Sequence, residues 1–232
     1  MVKVLVIADE VATNLHVHTL RNLAPDLVLS AGDLPWDYLE FVASTTNVPM
    51  VFVPGNHDPA LARARMGRNG AYTAAGMPCD APRPRGAVNA DQRVVDVAGL
   101  RIAGLGGCVR YRPGPHQYTQ RQYARRARRL LRRARTGPPV DVLLTHAPPL
   151  GLGDGEDRPH VGIAALHPVL ERLQPTWHLH GHIHPYGQLM PDREVGRTTL
   201  RNVIPWQVLD ITPVGTSDGQ DPTPARRTMG AW

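Results

Sequence analysis

Residues 49–58 read Pro-Met-Val-Phe-Val-Pro-Gly-Asn-His-Asp, an apolar run that stops at a glycine and three side chains able to bind metal. An uninterrupted apolar stretch of this length suits a strand buried on both faces. The same event recurs four more times. VKVLVIA runs into Asp9-Glu10-Val11, DLVLSA into Gly32-Asp33, VDVLLT into His146, and TWHLH into Gly181-His182-Ile183-His184. In α/β sheets, ligands gather outside the carboxyl ends of the strands. Five such ends in register put carboxylates, an amide and imidazoles on one edge of a sheet. That is the donor set of a two-metal hydrolytic centre. Gly32, Gly55 and Gly181 each stand directly before a proposed ligand, where a tight reversal needs the room.

Between these runs the pattern alternates. Strands are expected at 2–8, 26–31 and 49–53, with a weakly periodic helix at 13–23 and another from Trp36 to Val42. Strand, helix, strand, helix, strand argues a mostly parallel sheet covered on both faces. Residues 60–90 carry Arg, Pro, Gly and Ala without periodicity and read as an excursion over the site or a partly flexible flap. Strands at 93–97 and 100–104 flank a tight Ala98-Gly99 turn. The clearest helix spans 116–135, with Tyr123, Ala127, Leu130, Leu131 and Ala134 as its apolar stripe. A strand at 140–145, a Gly-rich loop at 151–162, a helix at 163–173 and a strand at 176–180 follow. Segments 186–190, 198–203 and 206–211 look like a closing antiparallel set. The expected organisation is one domain over 1–212 and a flexible tail over 213–232.

At 232 residues the chain can bury a full α/β core. Aromatic residues make up 5%, against 22 Gly and 23 Pro, which suits many tight connections. The formal charge of +6 favours an anionic substrate such as a phosphate ester, and equally fits plain solubility. Cys79 and Cys108 cannot build a disulfide framework, and without a CxxC pair a zinc ribbon is excluded. The chain begins directly on a strand, without a signal-like apolar region, and no stretch is long enough to span a bilayer. The expectation is a soluble cytoplasmic protein without a membrane partner.

The order D…GD…GNHD…H…GHxH over residues 1 to about 211 resembles the calcineurin-like metallophosphoesterase family. The run LLTHAPPLGLGDG…LHGHIH is similar, more weakly, to a small-phosphodiesterase branch of it. The resemblance implies a metallophosphoesterase-type α/β sandwich of central β-sheets flanked by helices. It implies one ion on Asp9, Asp33 and His184 and a second on Asp33, Asn56, His146 and His182, with Asp33 bridging. Two divalent transition-metal ions are implied (Mn, Fe, Zn, Co or Ni), since mixed oxygen and imidazole donors suit these better than Ca or Mg alone. The implied reaction is hydrolysis of a phosphoester by a metal-activated hydroxide. His57 is the candidate to assist the leaving group, and Asp58 the candidate to orient His57.

The first motif departs from the family's usual DxH, because residue 11 is Val. In an extended chain residues 9 and 11 point to the same side, so one imidazole is missing there. Water could fill the position, Asn14 or His16 could fold back to it, or the first site could stay mostly empty. Singly, each motif also has a plainer reading: Asp9 as a helix cap, Gly32-Asp33 and Asn56 as turn residues, His146 as a core histidine. His178 and His180 read as packing residues or supports. Arg158 and His160, in the loop after His146, read either as solvated residues or as a substrate wall. Arginines 121, 125, 126, 128, 129, 132, 133 and 135 wrap the polar side of the 116–135 helix, a solvated face or a nucleic-acid contact. Three functions therefore compete. The leading one is a metal-dependent phosphoesterase, with a small phosphodiester or nucleotide preferred as substrate over a protein. The others are a fold-retaining binding or scaffold protein, and a nuclease using the arginine-rich helix.

Overall fold

The computed structural model describes residues 1–61, 65–66, 72–74, 76–79, 83–188 and 190–215. In chain order the elements are β1 (Val2–Ile7), α1 (Val17–Leu23), β2 (Leu27–Ser30), α2 (Trp36–Thr46) and β3 (Met50–Phe52). Then come β4 (Arg65–Met66), β5 (Tyr72–Ala74), β6 (Met77–Cys79), β7 (Ala87–Asn89), β8 (Val94–Val97) and β9 (Leu100–Leu105). The middle holds β10 (Cys108–Val109), β11 (Gln117–Tyr118), α3 (Gln120–Ala134), β12 (Val142–Thr145) and α4 (Leu166–Leu173). The last are β13 (Trp177–His180), β14 (Arg193–Val195), β15 (Thr198–Asn202) and β16 (Trp206–Ile211).

Two mixed sheets form the centre. One has the order β16-β1-β2-β3-β7, the other β14-β15-β13-β12-β9-β8. The continuous apolar character of the strands follows from this arrangement, because every central strand has two covered faces. Along β1, Val4 and Val6 join the core between the sheets, while Leu5 and Ile7 pack beneath α1 and α2. On the other sheet, Val142 and Leu144 face the inter-sheet core, and Leu143 packs with Tyr123, Leu130 and Leu166 beneath α3 and α4. Central sheets flanked by helices match the expected fold. The metal-binding strand ends do not share one sheet edge, however. β1, β2 and β3 belong to one sheet, β12 and β13 to the other, and the two edges open on the same side.

Several boundaries differ from expectation, each for a physical reason. Helix α1 starts only at Val17, because the ring of His16 accepts the Thr19 amide and caps it. Helix α3 starts at Gln120, where Thr119 and Gln122 exchange side-chain and backbone hydrogen bonds in a capping box. Residues 60–90 hold strands after all: β7 lies parallel to β3, and β4-β5-β6 form a small sheet. Residues 62–64, 67–71, 75 and 80–82 of that excursion lie outside the described residues, as does the expected tail from 216 onward. The closing set is not antiparallel throughout. β15 runs parallel to β13, and β16 crosses to the other sheet to pair antiparallel with β1.

The arginine run also needs correction. Arg126 is buried, not solvated. Its guanidinium lies 3.8 Å from the centre of the Tyr118 ring and 2.6 Å from Asp91 Oδ1. A carboxylate and an aromatic face compensate the lost hydration of the charge. Arg133 turns to the carbonyl of Gln92.

Candidate metal centre

Asp9, Asp33 and His182 begin the turns that follow β1, β2 and β13, and all three adopt left-handed backbone (φ 60°, 57° and 68°). Non-glycine residues in this region cluster where the surroundings hold them for function. The surroundings here are specific. The Asp9 amide donates to Gly32 O at 3.0 Å. The Asp33 amide donates to Asp58 Oδ2 at 3.2 Å, and the His182 amide to Asp9 Oδ2 at 3.0 Å. The first two bonds tie together the strand ends of one sheet, and the His182–Asp9 bond stitches the two sheets to each other. Two glycines make the approach possible. A Cβ on Gly55 would sit 2.0 Å from Asp33 Oδ1, and one on Gly181 would sit 2.1 Å from Asp9 Oδ2.

Asp33, His146 and His182 each offer a donor atom within 4.8 Å of the others. Asn56 joins them, with its Oδ1 at 3.0 Å from His146 Nε2, while Asp33 Oδ2 is 3.3 Å from the same nitrogen. Each imidazole pins one ring nitrogen on an oxygen outside the cluster. His146 Nδ1 donates to Ala31 O at 2.8 Å, His182 Nε2 to Pro159 O at 2.9 Å, and His184 Nδ1 to Glu10 Oε1 at 2.8 Å. Such bonds fix the tautomer and leave the second nitrogen for a cation. His184 is looser than the rest. Its Nε2 stands 4.0 Å from Asp9 Oδ1, and its side chain is one-third exposed.

Proton affinities express the same crowding. Burial alone would depress His146, but the Asp33 and Asp9 carboxylates outweigh it and raise the imidazole to about 10. Burial would likewise raise Asp33, but His146 and the His57 amide hold it at about 2. Asp9 is lifted to about 6, by burial first and by the charge of Asp33 against the opposing pull of His146. His182 falls to about 3, through burial and then the positive His146. The charge of the two carboxylates thus favours a positive charge at His146. The donor set fits divalent ions: two carboxylates, an amide oxygen and three tautomer-fixed imidazoles converge on space whose charge favours a cation.

The remaining candidates divide. His57 is exposed, and its amide donates to Asp33 Oδ1 at 2.7 Å. Asp58 is buried, and its Oδ2 takes the amides of Gly55 (2.8 Å) and Asp33. Its contacts therefore brace the loop backbone, where the sequence suggested a partner for His57. His160 lies against His182, ring centres 5.6 Å apart, with Nδ1 2.8 Å from Asp157. Arg158 lines a separate cavity, beside Tyr111. Asn14 and His16 do not fold back: Asn14 Oδ1 accepts from Trp206 Nε1, and His16 caps α1. Val11 is half-exposed, and the left-handed turn at Asp9 removes the extended alternation assumed for residues 9 and 11.

Two contributors escaped the sequence reading. Glu10 was visible as a carboxylate beside Asp9, and its bond to His184 was the role to look for. Tyr111, whose hydroxyl accepts from Asn56 Nδ2 at 3.3 Å, carried no signal. His178, fully buried beside Thr145 Oγ1 at 2.8 Å, and His180 support the strand without joining the cluster.

A family model described as calcineurin-like phosphoesterase matches residues 5–186. The chain belongs to this family. Members are in general phosphoester hydrolases, and the family typically binds divalent metals. A stretch of 47 residues is 51% identical to UPF0046 protein T07D4.2 of Caenorhabditis elegans, covering 19% of this chain and 12% of that protein. The chain thus matches about an eighth of the length of that curated relative. TT1561 of Thermus thermophilus superposes with a TM-score of 0.59 at 16% identity, over 90% of this chain and 94% of its own. Another solved structure gives a TM-score of 0.61 at 15% identity with the same coverage. These likenesses establish the fold. The described residues of this family member contain no helix long and apolar enough to cross a membrane.

Proposed function

We propose that this chain is a metal-dependent phosphoesterase that hydrolyses a small phosphodiester or a nucleotide. The observation that carries the reading is the buried Asp33–His146–His182 cluster, with Asn56 Oδ1 on the same His146 nitrogen. Asp9 and His184, 4.0 Å apart, would extend it on the outer side, with Asp33 as the shared bridging carboxylate of this reading. Two divalent transition-metal ions held there would supply an activated water and positive charge for the phosphate oxygens.

The chain's own residues account for the rest. Ala31 O, Pro159 O and Glu10 keep the three imidazoles in the tautomers that accept a cation. The Asp33–His57 bond fixes the loop, so His57 stays exposed beside the cluster, suited to give a proton to a departing alkoxide. Asp58 keeps that loop rigid. A cytoplasmic setting forms part of this reading, consistent with Cys108 being a free, buried thiol. For the nuclease alternative, Arg126 and Arg133 are engaged within the protein, while Arg121, Arg125, Arg128, Arg129, Arg132 and Arg135 stay exposed on the helix.

A second reading, a metal-binding scaffold without turnover, draws on the exposed Val11 in the outer half. One experiment separates the two. Strip the protein of metal, restore Mn, Ni, Zn or Fe singly, and assay aryl monoesters, aryl diesters and cyclic nucleotides. Turnover that Asn56→Ala and His57→Ala abolish is the expected result, with diesters favoured. An equal trace rate in wild type and both variants would overturn the enzyme reading.

A further inference from the structure

Beside the cluster lies a cavity of about 480 Å³ lined by Arg110, Tyr111, Arg112, Pro113, Gly114 and Arg158. Its two arginine-bearing walls are the segments that hold the metal ligands. Tyr111, between Arg110 and Arg112, takes the amide of Asn56 on its hydroxyl. Arg158 precedes Pro159, whose carbonyl holds His182. One hydrogen bond therefore separates each wall from a proposed ligand of the cage.

The charge of this cavity is one-sided. Arg112 spreads its guanidinium 5.3 Å from the centre of the Tyr111 ring, exposed to solvent. Arg158 is also exposed, on the short 3-10 turn Arg158–His160. Among the described residues neither forms an ion pair with a carboxylate. Arg110 is anchored differently: its Nε and one terminal nitrogen donate to Gln117 O, at 3.2 and 3.1 Å. That anchoring stiffens the β10–β11 ribbon without cancelling its charge. Three guanidinium groups and a phenol form a wall suited to a doubly charged, oxygen-rich group, because the planar guanidinium matches phosphate geometry.

We infer that this cavity is a second phosphate subsite, and that the substrate carries a phosphate group besides the one being cleaved. The inference rests on the phosphoesterase reading for the cage and narrows it. A nucleotide with a further phosphate, or a bisphosphorylated small molecule, is the class that fills both positions. A simple diester, with its single negative charge and no further phosphate, fills only one. Arg112 and Arg158 are the residues that distinguish these classes, whereas the cage treats them alike.

The test compares two non-hydrolysable probes, phenylphosphonate and 1,4-phenylenebisphosphonate, binding to the Mn-loaded full chain by calorimetry. In the wild type the bisphosphonate should bind about tenfold tighter, as a charge-assisted contact supplies. In the exposed-residue double variant Arg112→Gln with Arg158→Gln, the ratio should fall to about two, the statistical value for two equivalent ends. Phenylphosphonate affinity should stay within about twofold, which also shows that the cage remains intact. A wild-type ratio of about two, or a ratio unchanged by the double variant, overturns the subsite. Parallel assays with aryl monoesters and diesters keep the two ideas apart. Absent turnover with a tenfold probe ratio breaks the proposed reaction and leaves the subsite standing. Brisk turnover with a flat ratio does the reverse.

Discussion

The two halves of the cage are built to different standards. In the inner half, His146 is fully buried, Asn56 and His182 are nearly so, and each ring has a backbone carbonyl as its partner. In the outer half, His184 is one-third exposed, its partner is the exposed side chain of Glu10, and the neighbouring Val11 is half-exposed and offers no donor. Backbone partners cost no side-chain entropy to hold, whereas a glutamate must be frozen to act. On the proposed two-ion reading, the inner half is preorganised and the outer half would depend on its cation to complete it.

The strongest way to break this contrast is His146→Ala. It should lower affinity for the tighter ion by ~100-fold or more, since even outer partners of ligands are worth tens-fold. Metal titration of the stripped protein reads this directly, and a loss under tenfold would contradict the preorganised inner half. Gly55→Ala forces a Cβ against Asp33 Oδ1 and should cost about 1–3 kcal/mol of stability by overpacking, measurable by urea unfolding.

Acidity sharpens the comparison next. The inner half binds its proton on His146, raised to about 10, so a cation must expel it. Apparent affinity should climb about tenfold per pH unit from 7 toward 10 and then flatten. Below pH 6 the retained proton of Asp9 steepens the dependence. Calorimetry at pH 7 in buffers of different ionisation heats should find about one proton released per inner ion. Stability of the stripped protein has the matching sign. The contribution of the His146 proton is full below the ordinary imidazole pKa of 6.5 and fades as pH rises through about 10. That of Asp33 is full above the ordinary carboxylate pKa of 3.8 and fades as pH falls through about 2.

In the outer half, Glu10→Gln should weaken only the second, looser ion, by about tenfold. An equal loss at both ions would mean the halves are one unit. The smallest effect belongs to Val11→His. An added imidazole should tighten the looser ion by a few-fold at ~0.5 kcal/mol or less of stability, because the site is exposed. An unchanged affinity would mean that the turn at Asp9 aims residue 11 away from the cation.

The contrast also explains what could be read without coordinates. Apolar runs such as Val2–Ile7 and Met50–Phe52 announce strands covered on both sides, and the ligands follow their ends directly. The Ala98-Gly99 turn was legible too, since two consecutive left-handed residues suit a tight hairpin. Strand β7, only Ala-Val-Asn, has no pattern to announce it and gains its place by pairing with β3. Strand direction was equally hidden at β15. Apolar content tells which faces are covered but not whether Leu200 opposes His178 in parallel or antiparallel sense. Arg126 was misread because helical periodicity ranks arginine as polar, whereas Asp91, distant in sequence, makes its burial tolerable. Pro159 O and Tyr111 support the ligands through loops, where sequence spacing carries no geometry.

The pairing of β16 with β1 has an outcome for the order of assembly. Six residues of β1, from Val2 to Ile7, lean on Trp206–Ile211, about two hundred positions later. During synthesis Asp9 therefore hangs from an unprotected border strand until Ile211 has emerged from the ribosome. Nascent chains halted before Trp206 should stick to one another through that border and capture no ion on Asp9, while those released beyond Ile211 should stay apart and bind it.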